Sequence, residues 1–249
     1  MNIGLVALFL ALATSSFSQS LLIYAKSKEE IVPVKTLFEW QIKRTQVLDS
    51  MQALFGKLPG DPNLPPFNTS IPDLPVFNTV IIDSINTNSY TRYSIRFTVA
   101  KGEDVTAYLY IPLKKEKGTK FPAMLALHQT EPIGKRSVDG QGPHINLAYA
   151  KELAERGYIV IAPDYPGFGD QANYNFDADR YESGIMKGVF NNIRCVDFLQ
   201  NRKDVDPERI GIIGHSLGGH TAMYTAAFDT RIKVIVSSCG WTPRRYYNN

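Results

Sequence analysis

Residues 204–219, DVDPERIGIIGHSLGG, decide how this chain folds. Within them Ile210, Gly211, Ile212 and Ile213 form a short apolar run that reads as a buried strand. Gly214-His215-Ser216-Leu217-Gly218 follows at once, with Gly219 behind it, and fits the pattern G-x-S-x-G. From Leu217 the spacing turns helical and continues to Phe228. A strand, a tight turn and a helix therefore meet at Ser216. Such a turn forces the serine into a strained backbone conformation, and glycines two residues before and after it let strand and helix approach closely. The helix start also leaves backbone N–H groups unpaired beside the serine. Ser216 is thus the candidate nucleophile, and the N–H of Leu217 is placed to stabilise an oxyanion. A plain glycine-rich turn would match the same string, so the neighbouring elements must carry the reading.

Outward from the turn, strands and helices alternate. Residues 121–127 form a short apolar strand, and 146–156 a helix stopped by Gly157. Residues 158–162 form a nearly all-apolar strand. A helix over 181–201 follows, with Met186, Val189, Ile193 and Val196 on one stripe. Residues 232–236 are a last strand. Alternation of this kind, with strands apolar throughout, predicts a parallel sheet covered on both faces. Before it, residues 80–85, 90–99 and 105–111 read as an antiparallel meander with turns at 86–89 and 101–104. Tyr93, Ile95, Phe97 and Val99 alternate and would share one face. The fold class is α/β, a mostly parallel sheet with an antiparallel N-terminal meander. Ser216 stands at the end of the third of four parallel strands. The two earlier ones run into His128-Gln129-Thr130 and into residues 163–169, PDYPGFG.

HQT at 128–130, GYIVIAPDYPGFGD at 157–170 and the stretch 204–219 together resemble the α/β-hydrolase superfamily. The likeness is to its branch of acetyl xylan esterases, dienelactone hydrolases and prolyl-oligopeptidase-like enzymes. It covers most of the chain from about residue 35, including QIKRTQVLDSMQ at 41–52. The resemblance implies a carboxylic-ester hydrolase working through an acyl-serine, with acetylated carbohydrate as a substrate. It also implies a second oxyanion N–H from Gln129 or Thr130, with His128 shaping that loop and not acting as the base. His128, His215 and Tyr165 are candidates to line the pocket. Asp164 reads as an acceptor that fixes its loop through backbone N–H groups. A serine peptidase, or an inactive protein that uses the pocket only to bind, are the alternatives.

Bulk properties narrow the rest. Twenty-seven basic against 24 acidic residues leave a net charge of +3, which gives no reason to propose nucleic acid or an anionic membrane as partner. Residues 3–13, IGLVALFLALA, followed by a small-residue site ending at Ser18, resemble a secretory signal. The chain then divides into a signal at 1–18, a helix (34–55) with a Pro-rich linker at 19–78, and one hydrolase domain at 79–249. Export would place it in the periplasm or outside the cell, with no membrane attachment once the signal is cut. Asn68-Thr69-Ser70 matches a glycosylation sequon, a tripeptide common by chance. Cys195 and Cys239 read as free and buried. Four scattered histidines and two distant cysteines form no ligand cluster, so neither metal nor cofactor is expected. Oligomeric state is not legible.

The pattern breaks after the serine. In this fold the acid and then the histidine follow the nucleophile in chain order. Only Asp229 and His220 do so here. His220 lies four residues along the same helix and Asp229 at its far end, so neither is placed to act. The sheet also lacks the strands that normally carry those loops. The expectation is a truncated product, nearly inactive by itself.

Overall fold

The chain divides into two units, Met1–Met51 and Gln52–Asn249. A computed structural model describes residues 22–59, 78–113 and 120–241. The signal at 1–18, the sequon at 68–70 and nearly all of the Pro-rich linker lie outside the described residues.

In the first unit, strands β1 (Ile23–Ala25) and β2 (Ile31–Pro33) pair antiparallel. This hairpin was not expected from the sequence. Helix α1 (Leu37–Phe55) follows and runs past the unit boundary at Met51. Its first turn is fixed by a capping box. The N–H of Glu39 donates to Thr36 Oγ1 at 3.2 Å, and Glu39 Oε2 accepts from the N–H of Thr36 at 2.8 Å. Gln46 ties the helix to the hairpin by exchanging two hydrogen bonds with the backbone of Ala25. The helix expected over 34–55 is present, but Leu37 and Phe38 are 83% and 75% exposed, and Phe55 alone is buried. Periodicity identifies a face, not what covers it. Gly56, at φ 94°, ends the helix.

The second unit is built on one seven-stranded sheet. Strands β3 (Val80–Asn86), β4 (Tyr90–Ala100) and β5 (Glu103–Pro112) form the antiparallel meander. Next come β6 (Phe121–Leu127), helix α2 (Tyr149–Glu155), β7 (Ile159–Pro163), helix α3 (Gly184–Gln200), β8 (Val205–His215), helix α4 (Leu217–Phe228) and β9 (Ile232–Ser238). The strand order is β3-β4-β5-β7-β6-β8-β9. β7, β6, β8 and β9 are parallel to one another, and β5 joins them antiparallel through β7. The predicted α/β class and mixed sheet are therefore observed.

Alternating side chains of the strands feed two cores. Ala123, Leu125 and Leu127 of β6 pack with Phe190, Val196 and Leu199 of α3 and Ala222 of α4. Met124 and Ala126 point to the other face, where Ala150 and Ala154 of α2 cover them. The expected alternation in β4 also appears, with Ile95, Phe97 and Val99 buried in the first core and Tyr93 packed against it. Two helix boundaries differ from expectation. Residues 145–147 form a separate 3-10 turn before α2, and α3 starts only after its cap, Ser183, whose Oγ accepts from the N–H of Met186. Serine competes for the backbone and so marks a helix start, not its interior.

Candidate functional site

β8 delivers Gly214 and His215 to the C-terminal edge of the sheet, and Ser216 is the N-cap of α4. Ser216 sits at φ 51° and ψ −117°. A non-glycine residue there carries roughly 1–3 kcal/mol of backbone strain. Three contacts hold the turn in place. The N–H of Ser216 donates to the carbonyl of Ser238 at the tip of β9 (2.8 Å), and the Ser216 carbonyl accepts from His220 N–H (2.9 Å). Ser237 Oγ donates to the Gly219 carbonyl at 3.0 Å. Packing below the serine leaves no room for a side chain. A Cβ on Gly214 would stand 2.2 Å from the backbone carbon of Gly218, and one on Gly218 would stand 2.1 Å from the carbonyl oxygen of Leu127. These approaches bring the start of α4 against the end of β6. Among the described residues, the N–H groups of Leu217, Gln129 and Thr130 meet no acceptor.

The two loops beside the serine are cross-linked through His128 and Asp164. His128 is buried; its Nδ1 lies 2.6 Å from the Gln129 carbonyl, and its Nε2 accepts from the N–H of Tyr165 at 2.9 Å. Accepting at Nε2 requires a neutral ring with its proton on Nδ1. Burial lowers its pKa, which favours that neutral form. With both nitrogens committed to the backbone, His128 shapes the loop.

Asp164, buried to 1% exposure, accepts from the N–H groups of Lys135 (2.9 Å) and Asp170 (3.2 Å) and from Thr106 Oγ1 (2.7 Å). It also pairs with the ammonium of Lys135, and both side chains are fully buried. Lys135 reaches Asp170 too, which in turn holds Arg136. Asp164 is therefore the loop-fixing acceptor that the sequence suggested. Lys135, its partner across 29 residues, was not foreseen, because no local spacing links the two.

The other predicted site residues divide. His128 and Tyr165 line a small pocket with Gly188, Asn191, Asn192 and Thr221. His215 is not among its lining residues; its Nδ1 instead lies 3.1 Å from Ser238 Oγ. Being next in the chain to the serine places His215 at the turn, but its ring follows β9. Gln129 is buried, whereas Thr130 is exposed. Cys195 is buried and free as expected. Cys239 is free but exposed, at φ 51° in the turn after β9, so its reading as buried is corrected. Apolarity suggested burial, but a residue in a surface turn has no core to enter. The ring of His220 lies edge-on to Tyr224, with centroids 4.5 Å apart. Asp229 is buried at the far end of α4, where it binds Arg231. Among the described residues no group of three His, Cys, Asp or Glu side chains could hold a metal ion.

Residues 142–247 match the alpha/beta hydrolase family. YtaP of Bacillus subtilis is 34% identical over 148 residues, a match that takes in 55% of this chain and 48% of that protein. A glucuronoyl esterase from Solibacter usitatus superposes with a TM-score of 0.60 at 18% identity, over 87% of this chain and 62% of the other. Acetyl xylan esterase 1 from Thermoanaerobacterium sp. JW/SL YS485 gives 0.52 at 19% identity, over 65% and 52%. The chain thus spans about half the length of this curated relative and under two thirds of these esterases.

Proposed function

This chain belongs to the α/β-hydrolase superfamily, and from that premise we propose that it is a serine hydrolase cleaving carboxylic esters through an acyl-Ser216 intermediate. The observation that carries the reading is the turn at Ser216: a strained serine between β8 and α4, with the N–H groups of Leu217, Gln129 and Thr130, which meet no acceptor among the described residues, near the same sheet edge. In the reaction, the hydroxyl oxygen adds to the ester carbonyl carbon while its proton passes to a base. The oxyanion is held by the N–H of Leu217 and that of Gln129 or Thr130; one such donor is worth roughly 10²–10³ in rate. Collapse expels the alcohol, which takes up the proton, and leaves the acyl-serine. Water then adds to the acyl carbonyl and releases the acid and free Ser216. We assign the base to neither His220, on the flank of α4 beside Tyr224, nor to Asp229, bound by Arg231.

Acetylated carbohydrate is the substrate class we favour, in line with the acetyl xylan esterase that shares the fold. The apolar run at 3–13 supports an exported protein, secreted or periplasmic. Among the described residues no helix is long and apolar enough to cross a membrane.

A fluorophosphonate probe tests the serine. The protein expressed from its full gene should be labelled, and Ser216→Ala should not. Absence of labelling in the wild type, or persistence in the variant, would remove Ser216 as nucleophile. Turnover of aryl acetates with none of prolyl amides is the result expected for an esterase; the reverse would make the protein a peptidase.

A further inference from the structure

Among the described residues only two that are not glycine have a positive φ, Ser216 and Cys239, both at 51°. They stand at the tips of neighbouring strands. The β8–β9 ladder pairs Gly214 with Ser237 and His215 with Ser238, and the N–H of Ser216 donates to the Ser238 carbonyl at 2.8 Å. β9 is exposed from its second residue to its last, yet burial resumes at Gly240. The chain hooks back at Cys239, and Gly240 lands on the first turn of α4. A Cβ on Gly240 would stand 2.6 Å from the backbone nitrogen of His220 and closer still to the backbone carbon of Gly219. The peptide group joining Gly219 to His220 is thus held on three sides. Its carbonyl accepts from Ser237 Oγ at 3.0 Å, Gly240 packs against its carbon and nitrogen, and its N–H donates to the Ser216 carbonyl at 2.9 Å.

We propose that this hook, Ser237–Gly240, is a clamp that imposes the strained conformation of Ser216, with Ser237 and Gly240 as positioning residues. The inference rests on the serine-hydrolase reading given above. Peptide groups are planar, so the φ and ψ of a residue are set by how the two peptides flanking its Cα are oriented. At Ser216 the preceding peptide is tied through its N–H to Ser238, and the following one through its carbonyl to His220. Both ties lead to the hook. A strained residue persists only where its surroundings over-determine it. Gly214 and Gly218 make room for the turn, but room alone does not select a strained φ. Without the clamp the backbone of Ser216 would relax and swing its hydroxyl, and a misplacement of about 1 Å costs roughly 10²-fold in rate.

Ser237→Ala and Gly240→Ala in the protein expressed from its full gene test this, with Val234→Ala as control. Val234 is exposed on the same strand, and by alternation it faces away from the side on which Ser237 meets α4. Three quantities are measured: amide hydrogen exchange at Ser216 and His220, the rate constant of fluorophosphonate labelling, and kcat and KM for an aryl acetate. Ser237→Ala should speed exchange at both amides about tenfold, the scale of one hydrogen bond, and leave exchange in β6 unchanged. Labelling and kcat should fall about tenfold at unchanged KM, because Ser237 does not touch the substrate. Gly240→Ala should act in the same direction and more strongly, about 10²-fold in labelling. Val234→Ala should change none of these. Ser237→Ala only trims an exposed side chain, so it decides the matter even if Gly240→Ala folds poorly. Unchanged exchange at Ser216 and His220 overturns the clamp, as does unchanged labelling in a protein whose wild type labels. Faster exchange throughout β6 would reduce Ser237 to general stability, and a higher KM at unchanged kcat would make it a substrate contact; either also overturns the clamp. If the wild type does not label, the serine reading fails, and exchange alone decides whether the hook holds the turn.

Discussion

Asp164 and Lys135 form a fully buried ion pair, and such a pair is costly to break from one side only. Asp164→Asn keeps the shape but leaves the Lys135 ammonium with Asp170, whose side chain is 35% exposed. Breaking a buried pair costs about 3–5 kcal/mol. For a chain of this size that corresponds to a fall in Tm of roughly 10 °C, measurable by calorimetry. A shift of a degree or two would mean that the pair is not buried in solution. His128 makes a different prediction from the same loops. Burial lowers its pKa from the ordinary 6.5, although the Gln129 carbonyl and Asp164 oppose the shift. The unfolded chain thus takes up this proton at a higher pH than the folded one. The stability His128 contributes is complete above the unfolded pKa and is lost as pH falls below about 6.5. Burial also lowers the pKa of His220, which adds in the same direction. The urea midpoint should decline from pH 7.5 to 5.5, and His128→Gln should flatten part of that decline. An identical slope in the variant would show that His128 is not the group being protonated.

At the scale of elements, the β8–α4 turn was legible because its packing admits so few residues. Gly218→Ala would drive a methyl group to 2.1 Å from the Leu127 carbonyl, a backbone atom that cannot rotate away. Overpacking of a core typically costs about 1–3 kcal/mol, and here it also pushes α4 from the loop of His128 and Gln129. The variant should lose fluorophosphonate labelling along with part of its thermal stability; normal labelling would argue against the close approach. The stripe on α3 and the alternation in β4 were legible for a related reason, since a covered face writes its period into the sequence. Within α3, Asn191 is an exception to that face. It is 2% exposed, and among the described residues neither its Oδ1 nor its Nδ2 has a hydrogen-bond partner. A buried amide without partners costs about 1–3 kcal/mol. Asn191→Leu should therefore raise Tm by a few degrees, and a lower Tm would show that the amide is satisfied. What the sequence did not disclose depends on distant pairs. The Tyr149 bond to Leu127 spans 22 residues and the Asp164–Lys135 pair 29, and periodicity carries no trace of either. The capping box of Thr36 and Glu39 has a local signature that the sequence reading did not use, and the hairpin before it lacks the turn residues that would have announced it.

For the whole molecule, the two outer strands behave unlike the five between them. β7, at the centre, is buried at every position. β3 at one edge is exposed throughout, and β9 at the other is exposed after its first residue. Both are apolar: Ile81 and Ile82 are 60% and 58% exposed, and Val234 and Ile235 are 56% and 49%. Sequence reading called both strands correctly from their β-branched residues, yet composition cannot tell a covered strand from a bare one. A flat apolar edge with unpaired N–H and C=O groups is a template for another strand. The 249-residue chain should therefore associate in a concentration-dependent way, adding strands at these edges. Lysine on an edge strand blocks such pairing through its charge and hydration. Ile81→Lys and Val236→Lys, each on an exposed position, should shift the sedimentation profile toward monomer without altering the buried cores. If both edges take part, the double variant should be more monomeric than either single one. A chain that sediments as a monomer at every concentration, with or without the lysines, would show that β3 and β9 are covered in solution.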